Sequence, residues 1–248
     1  MYMKRILLIL CCSGLLIVGC KKQDDNFSTA PLSDYYPLKT GKVITYRLDS
    51  TVFINFGAKD TIITYQVQDR VDSQITDNLG RKAFRIIRFI RRDSSQAWTP
   101  NNTFMAVPTA SSIELIENNL RFLKLVSPIK EGVKWKGNSF IDTYSLNSDV
   151  KYLDDWDYLY DSINIPLTLK GIRYDSTINV RERNEFLGQD PHLPGTQYAE
   201  KNYSVEKYAK GIGLIYREFL HWEYQGAQPG RSAYYLGYGV KLTILNHN

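Results

Sequence analysis

The strongest constraint on this chain is a period of two. Large apolar residues alternate with polar ones through most of its length. In 43–49, Ile44, Tyr46 and Leu48 share one face. In 51–56, Val52, Ile54 and Phe56 do, and after a turn at Gly57-Ala58-Lys59-Asp60 the pattern resumes in 61–68. Successive side chains of a strand point to opposite faces, so this alternation marks strands with one buried face. Similar runs recur at 82–91, 112–117, 120–126, 139–146, 156–163, 172–181, 201–208, 213–224 and 233–245. Turn residues separate them, as expected of hairpins. The 18 Tyr and 10 Phe suit half-buried pleated surfaces. The expected fold is all-β and antiparallel, a curled sheet or half-barrel or a β-sandwich, in a single domain over 35–248. The Pro-containing segments 94–111 and 187–199 read as loops.

One stretch competes with this reading. Arg81, Arg85, Arg88 and Arg92 recur at helical spacing. Ile and Phe dominate between them and a DNLG turn signal precedes, so a strand is expected. Arg85 and Arg88 are candidate ligand contacts, able to meet phosphate or sulfate groups. The plainer account is that these arginines project from a sheet, cover apolar neighbours with their stems and pair with acids such as Asp93.

Few residues point to chemistry. His192, His221 and His247 have no second His or Cys at metal-ligand spacing, so neither a metal nor a cofactor is implied. No G-x-S-x-G elbow is present. The densest carboxylate cluster is Asp154, Asp155 and Asp157 around Trp156, with Asp161 beyond. Asp154, Asp157 and Trp156 are candidate ligand contacts. Paired carboxylates beside an aromatic platform would suit a glycan-acting hydrolase, the alternative function for this chain. A solvated loop beside a core tryptophan explains the same residues.

The N-terminus constrains location. Lys4 and Arg5 precede an apolar run at 6–18, which is followed by Gly19, Cys20, Lys21 and Lys22. A largely apolar run of 13 residues is short for a membrane span, which needs about 20, and it suits a secretory signal. All three cysteines lie at or before position 20, leaving no thiol beyond it for a disulfide, metal or nucleophile. The formal net charge is +5, and loss of Lys4 and Arg5 takes it to +3. That charge is small and scattered, so no nucleic-acid partner is expected. Residues 20–34 are polar and read as a flexible tether.

Ile17-Val18-Gly19-Cys20 resembles the lipobox of bacterial lipoprotein signals. The resemblance implies cleavage after Gly19, with residues 1–19 removed. It also implies a thioether-linked diacylglycerol on Cys20 and acylation of the new amine, palmitate being a typical chain. Tyr208-Ala209-Lys210-Gly211-Ile212-Gly213-Leu214-Ile215 and the segment 35–50 resemble uncharacterised β-rich envelope lipoproteins. No Asp follows Cys20, unlike the inner-membrane retention signal of some lipoproteins, and Lys21-Lys22-Gln23-Asp24-Asp25 is similar to a surface-export tether. The expectation is therefore a non-enzymatic lipoprotein of the cell envelope, in the outer membrane and facing periplasm or surface. It would be anchored to the membrane through Cys20 and would bind a protein, glycan or lipid partner.

Overall fold

The computed structural model describes residues 29–248. The signal segment and Cys20 lie outside the described residues. The chain is an up-and-down antiparallel meander. A short helix, α1 (Leu32–Tyr35), precedes β1 (Val43–Ile54), β2 (Lys59–Thr76), β3 (Lys82–Arg91), β4 (Thr99–Pro108), β5 (Ser112–Glu117) and β6 (Leu120–Val126). The second half comprises β7 (Lys134–Lys136), a 3-10 turn at Lys151–Leu153, β8 (Asp157–Leu169), β9 (Ile172–Gly188), β10 (Tyr198–Ala209), β11 (Gly213–Gln225) and β12 (Tyr234–His247). One twelve-stranded sheet results, in the order β6-β5-β4-β3-β2-β1-β12-β11-β10-β9-β8-β7. Pairing of β1 with β12 puts the first and last strands at its centre.

The sheet curls until its two edges meet. Leu123 N–H of β6 donates to Gly137 O at 2.8 Å, just past β7. The Trp135 indole donates to Leu123 O at 2.8 Å. Tyr160 OH accepts from Val126 N at 2.9 Å and donates to Val126 O at 2.6 Å. The half-barrel branch of the expectation is thus the one realised, nearly closed, and these contacts cover the exposed edges that an open sheet would present.

Connections alternate between the two ends. One end carries the short turns at 170–171 and 210–212 and is plugged by α1, whose Tyr35 hydroxyl meets Asn164 and Ser176 at 2.9 Å. Gly211 N–H donates to Asp34 O at 2.6 Å. Residues 31–34, read above as the end of the tether, are therefore partly structural, and Leu32 is buried. The other end carries the longer connections, including 137–156.

Three strand assignments are corrected. Segment 94–111, read as loop, contains β4. Segment 139–146, read as strand, is a set of turns organised by Asp142, whose carboxylate accepts from Tyr144 N at 3.1 Å and Ser145 N at 3.0 Å. β9 continues through Phe186 and Leu187, so the loop starting at 187 is shorter than expected. Gly211 and Gly213, at the turn into β11, have φ of 76° and 109°.

Candidate functional site

Strand alternation decides which side chains enter the barrel. Along β11, Ile215, Arg217, Phe219 and His221 share a parity, as do Ile178, Val180 and Glu182 along β9. Apolar members of these rows build the core, with Ile178, Val180 and Ile215 fully buried. Charged members are carried inward with them. A buried charge is tolerated only when paired and hydrogen-bonded, and here the partners come from across the barrel.

Lys124 of β6 is the centre of this layer. Its ammonium contacts Glu182 Oε1 at 2.6 Å and Glu206 Oε1 of β10 at 2.7 Å. All three side chains are at most 4% exposed. Ser204 Oγ donates to Glu182 at 2.5 Å and Tyr208 OH donates to Glu206. Burial and the Glu206 charge hold Glu182 above the usual carboxylate range, against the pull of Lys124. Burial also draws the Lys124 ammonium down, but the two glutamates outweigh it and the net shift is upward.

Two further pairs extend the layer. Arg88 binds Asp69 in bidentate fashion, both bonds at 2.6 Å, and stacks on Phe104 at 4.7 Å. Arg217 donates from Nη1 to Glu117 at 3.0 Å. Burial pushes the Glu117 carboxyl up, but Arg217 and Arg88 more than offset it, so it lies below its ordinary value. Arg217 Nε is 3.5 Å from Glu206 Oε1 yet has no hydrogen-bond partner among the described residues.

This charged layer separates two cavities, and Arg88, Glu117 and Arg217 line both. The smaller, about 80 Å³, lies toward α1 with apolar walls that include Leu38, Ile44 and Phe104. The larger, about 200 Å³, lies toward the other end. Its walls are aromatic: Phe122, Trp156, Tyr158 and Phe219.

The connection 137–156 folds over the larger cavity as a strap. It leaves β7 and returns to β8, yet the Tyr152 ring lies flat on His221 of β11, centroids 3.8 Å apart. Tyr152 OH also meets Tyr238 OH of β12 at 3.2 Å. The strap is held at its base by Asn138, whose amide donates to Leu153 O at 2.8 Å. His221 is bonded to Asn202 at 2.8 Å, and burial lowers its pKa, which favours the neutral ring under Tyr152.

The residues singled out from sequence fall in different places. Arg88 and Trp156 line the larger cavity. Trp156 is 2% exposed and donates its indole N–H to Tyr152 O at 2.7 Å, so it offers no open platform for a sugar at the surface. Arg85, three residues from Arg88, faces outward and binds Asp72 at 2.8 Å. Asp93, named above as a pairing acid, caps Ser95 at 2.9 Å instead. Asp154 accepts from Thr143 at 2.6 Å. Lys136 contacts both Asp155 at 2.6 Å and Asp157 at 2.8 Å on the exposed outer surface. The aspartate cluster is therefore not assembled around Trp156. Cys20 is outside the described residues.

Sequence reasoning missed Lys124, Glu182, Glu206, Glu117 and Arg217. The available signal was a charged residue on the apolar parity of a strand, as Arg217 is between Ile215 and Phe219.

No family model matches the chain, and no curated protein matches it. Among solved structures, a candidate lipoprotein of Parabacteroides distasonis is similar at 14% identity and a TM-score of 0.29, the match covering 86% of this chain and 97% of that one. A candidate exported protein of Bacteroides fragilis with a YmcC-like fold is similar at 13% identity and a TM-score of 0.27, covering 85% and 98%. At such identities and scores neither likeness says what this chain does.

Proposed function

We propose that this chain is a lipid-anchored lipoprotein of the cell envelope whose barrel holds a small ligand in its interior, without catalysing a reaction. The observation that carries the binding reading is the larger cavity. It combines aromatic walls, a floor of paired charges and a strap across its mouth, the mixture of apolar enclosure and few polar groups found in small-molecule sites. The lipobox-like Ile17-Val18-Gly19-Cys20 supports the anchor. Contact with the membrane through lipid on Cys20 is what that resemblance implies, and the absence of an Asp directly after Cys20 supports outer-membrane residence.

Catalysis is not favoured by the interior charges. Glu182 and Glu206 are close enough to act as a carboxylate pair, but Lys124 occupies the space between them. A glycosidic bond would have to lie there.

The anchor is tested by labelling cells with a fatty-acid analogue. Label on the wild type and none on Cys20→Ala is the expected result, and equal label on both overturns the anchor. The interior site is tested by native mass spectrometry of protein taken from its own envelope. A small-molecule adduct is expected on the wild type and absent from Val240→Trp, whose indole would fill the cavity.

A further inference from the structure

We propose that the larger cavity takes a neutral, polyhydroxylated six-membered ring, a single sugar or cyclic polyol. The inference rests on the interior-site reading above and adds the ligand's chemical class.

Size sets the first limit. An apolar cavity of about 150 Å³ accepts benzene. At about 200 Å³ this one has room for a six-membered ring with substituents and not for a drug-sized molecule or an oligosaccharide.

Charge sets the second. Every cation on the lining is committed: Arg88 to Asp69, Lys124 to Glu182 and Glu206, and Arg217 to Glu117. A phosphate or carboxylate ligand would have to displace one of these buried carboxylates and leave it unpaired, which is strongly unfavourable. An acyl chain could rest on the aromatic walls. It would also strip water from the ion pairs and return no hydrogen bond. A hydroxyl group avoids both difficulties, because it donates to a carboxylate and accepts from an ammonium or guanidinium.

The third observation is the aromatic part of the wall. Phe122 and Tyr238 line the cavity and keep part of their ring surface exposed. Aromatic faces carry negative partial charge and accept the weakly positive C–H groups of a saturated ring.

The test is calorimetric titration of the full-length acylated protein in a detergent without a sugar headgroup. The probes are glucose, galactose, mannose, N-acetylglucosamine, myo-inositol, sodium glucuronate, inorganic phosphate and sodium dodecanoate. The expected result is saturable binding of at least one neutral ring, at least tenfold tighter than glucuronate, phosphate or dodecanoate. Val240→Trp and the milder Tyr238→Ala, at the partly exposed rim, should each weaken it at least tenfold. Should Val240→Trp fail to melt cooperatively, Tyr238→Ala decides. Binding of dodecanoate, phosphate or glucuronate alone, lost in the same variants, overturns the ligand class and leaves the interior site standing. Binding of no probe, or binding that neither variant weakens, overturns both.

Discussion

At the scale of single residues, Lys124 carries more consequence than any other side chain described. It is one ammonium between two buried carboxylates, and removal of one partner of a buried ionic group costs about 3–5 kcal/mol. Lys124→Met keeps the length and apolar stem, so the loss is mainly electrostatic. Its pH dependence follows from the sign of the shift. Without the lysine, Glu182 faces Glu206 with no cation between them, and its folded-state pKa, already held above the ordinary value by burial and the Glu206 charge, rises further. A carboxyl raised in this way favours folding while it is protonated, and the advantage is lost as pH rises through the folded value. The stability gap between Lys124→Met and the wild type should be small near pH 4 and widest at neutral pH, read from denaturant midpoints. A gap that does not change with pH would show that Lys124 acts through packing alone. Gly213 poses a backbone question at the same scale. Its φ of 109° is in a region that side chains rarely adopt, and an added Cβ would stand 3.4 Å from Ile44 Cδ1. Gly213→Val should therefore cost about 1–3 kcal/mol in chemical denaturation, and a neutral result would mean the start of β11 relaxes freely.

At the scale of elements, the strap over 137–156 and the strands explain what the sequence could disclose. Alternation located most strands because each has one buried face, as Tyr46 and Leu48 in β1 illustrate. β4 escaped because Pro100, Asn101 and Asn102 near its start, and Pro108 at its end, carry turn signals, while Phe104 and Ala106 between them supply only two inward residues. The false strand at 139–146 has the opposite cause. Phe140, Tyr144 and Leu146 repeat at even spacing, but Asp142 captures the local backbone N–H groups and bends the chain, a competition that Asp wins over short stretches. Phe140, Tyr144 and Leu146 remain largely exposed. The site was legible only at Arg88 and Trp156. Its other charged members, Asp69, Glu117, Lys124, Glu182, Glu206 and Arg217, are spaced one to a strand across six strands, and only closure of the barrel brings Lys124 to Glu182 and Glu206. Tyr152 is the strap's main attachment to the far wall. Tyr152→Ala removes the stack on His221 and the contact with Tyr238 and should cost about 2 kcal/mol, less than a fully buried aromatic. Limited proteolysis should cut within 137–150 faster in the variant. Unchanged cleavage would mean that Asn138 and the buried Trp156 hold the strap by themselves.

At the scale of the whole molecule, closure and orientation matter together. The seam between β6 and β8 depends on one tyrosine that satisfies both polar groups of Val126. Tyr160→Phe leaves that N–H and C=O without their partner in a largely buried position, and each such loss costs about 1–3 kcal/mol. Hydrogen exchange should show β6 amides losing protection before those of β1 and β12, at the centre of the sheet. Equal loss in all strands would mean that the seam does not open independently.

Orientation follows from the anchor, if Cys20 carries it. Thr29 comes nine positions after Cys20, and at about 3.5 Å per extended residue that span reaches no more than about 32 Å. The chain enters the described fold at the α1 end, so that end is tied near the bilayer and the strap end is directed away from it. The mouth of the larger cavity would then face the aqueous compartment, where a neutral polar ring is found, rather than the lipid. The compartment itself is decided by shaving intact cells with protease and probing for the domain. Surface display predicts cleavage in the strap on intact cells, and cleavage that disappears when Asp24 and Asp25 are both changed to Ala, since charge in the tether is then the address. Cleavage only after the outer membrane is made permeable would place the domain in the periplasm, with the ligand drawn from that space. Cleavage on intact cells that survives both changes would keep the surface location and remove the acidic pair as its cause.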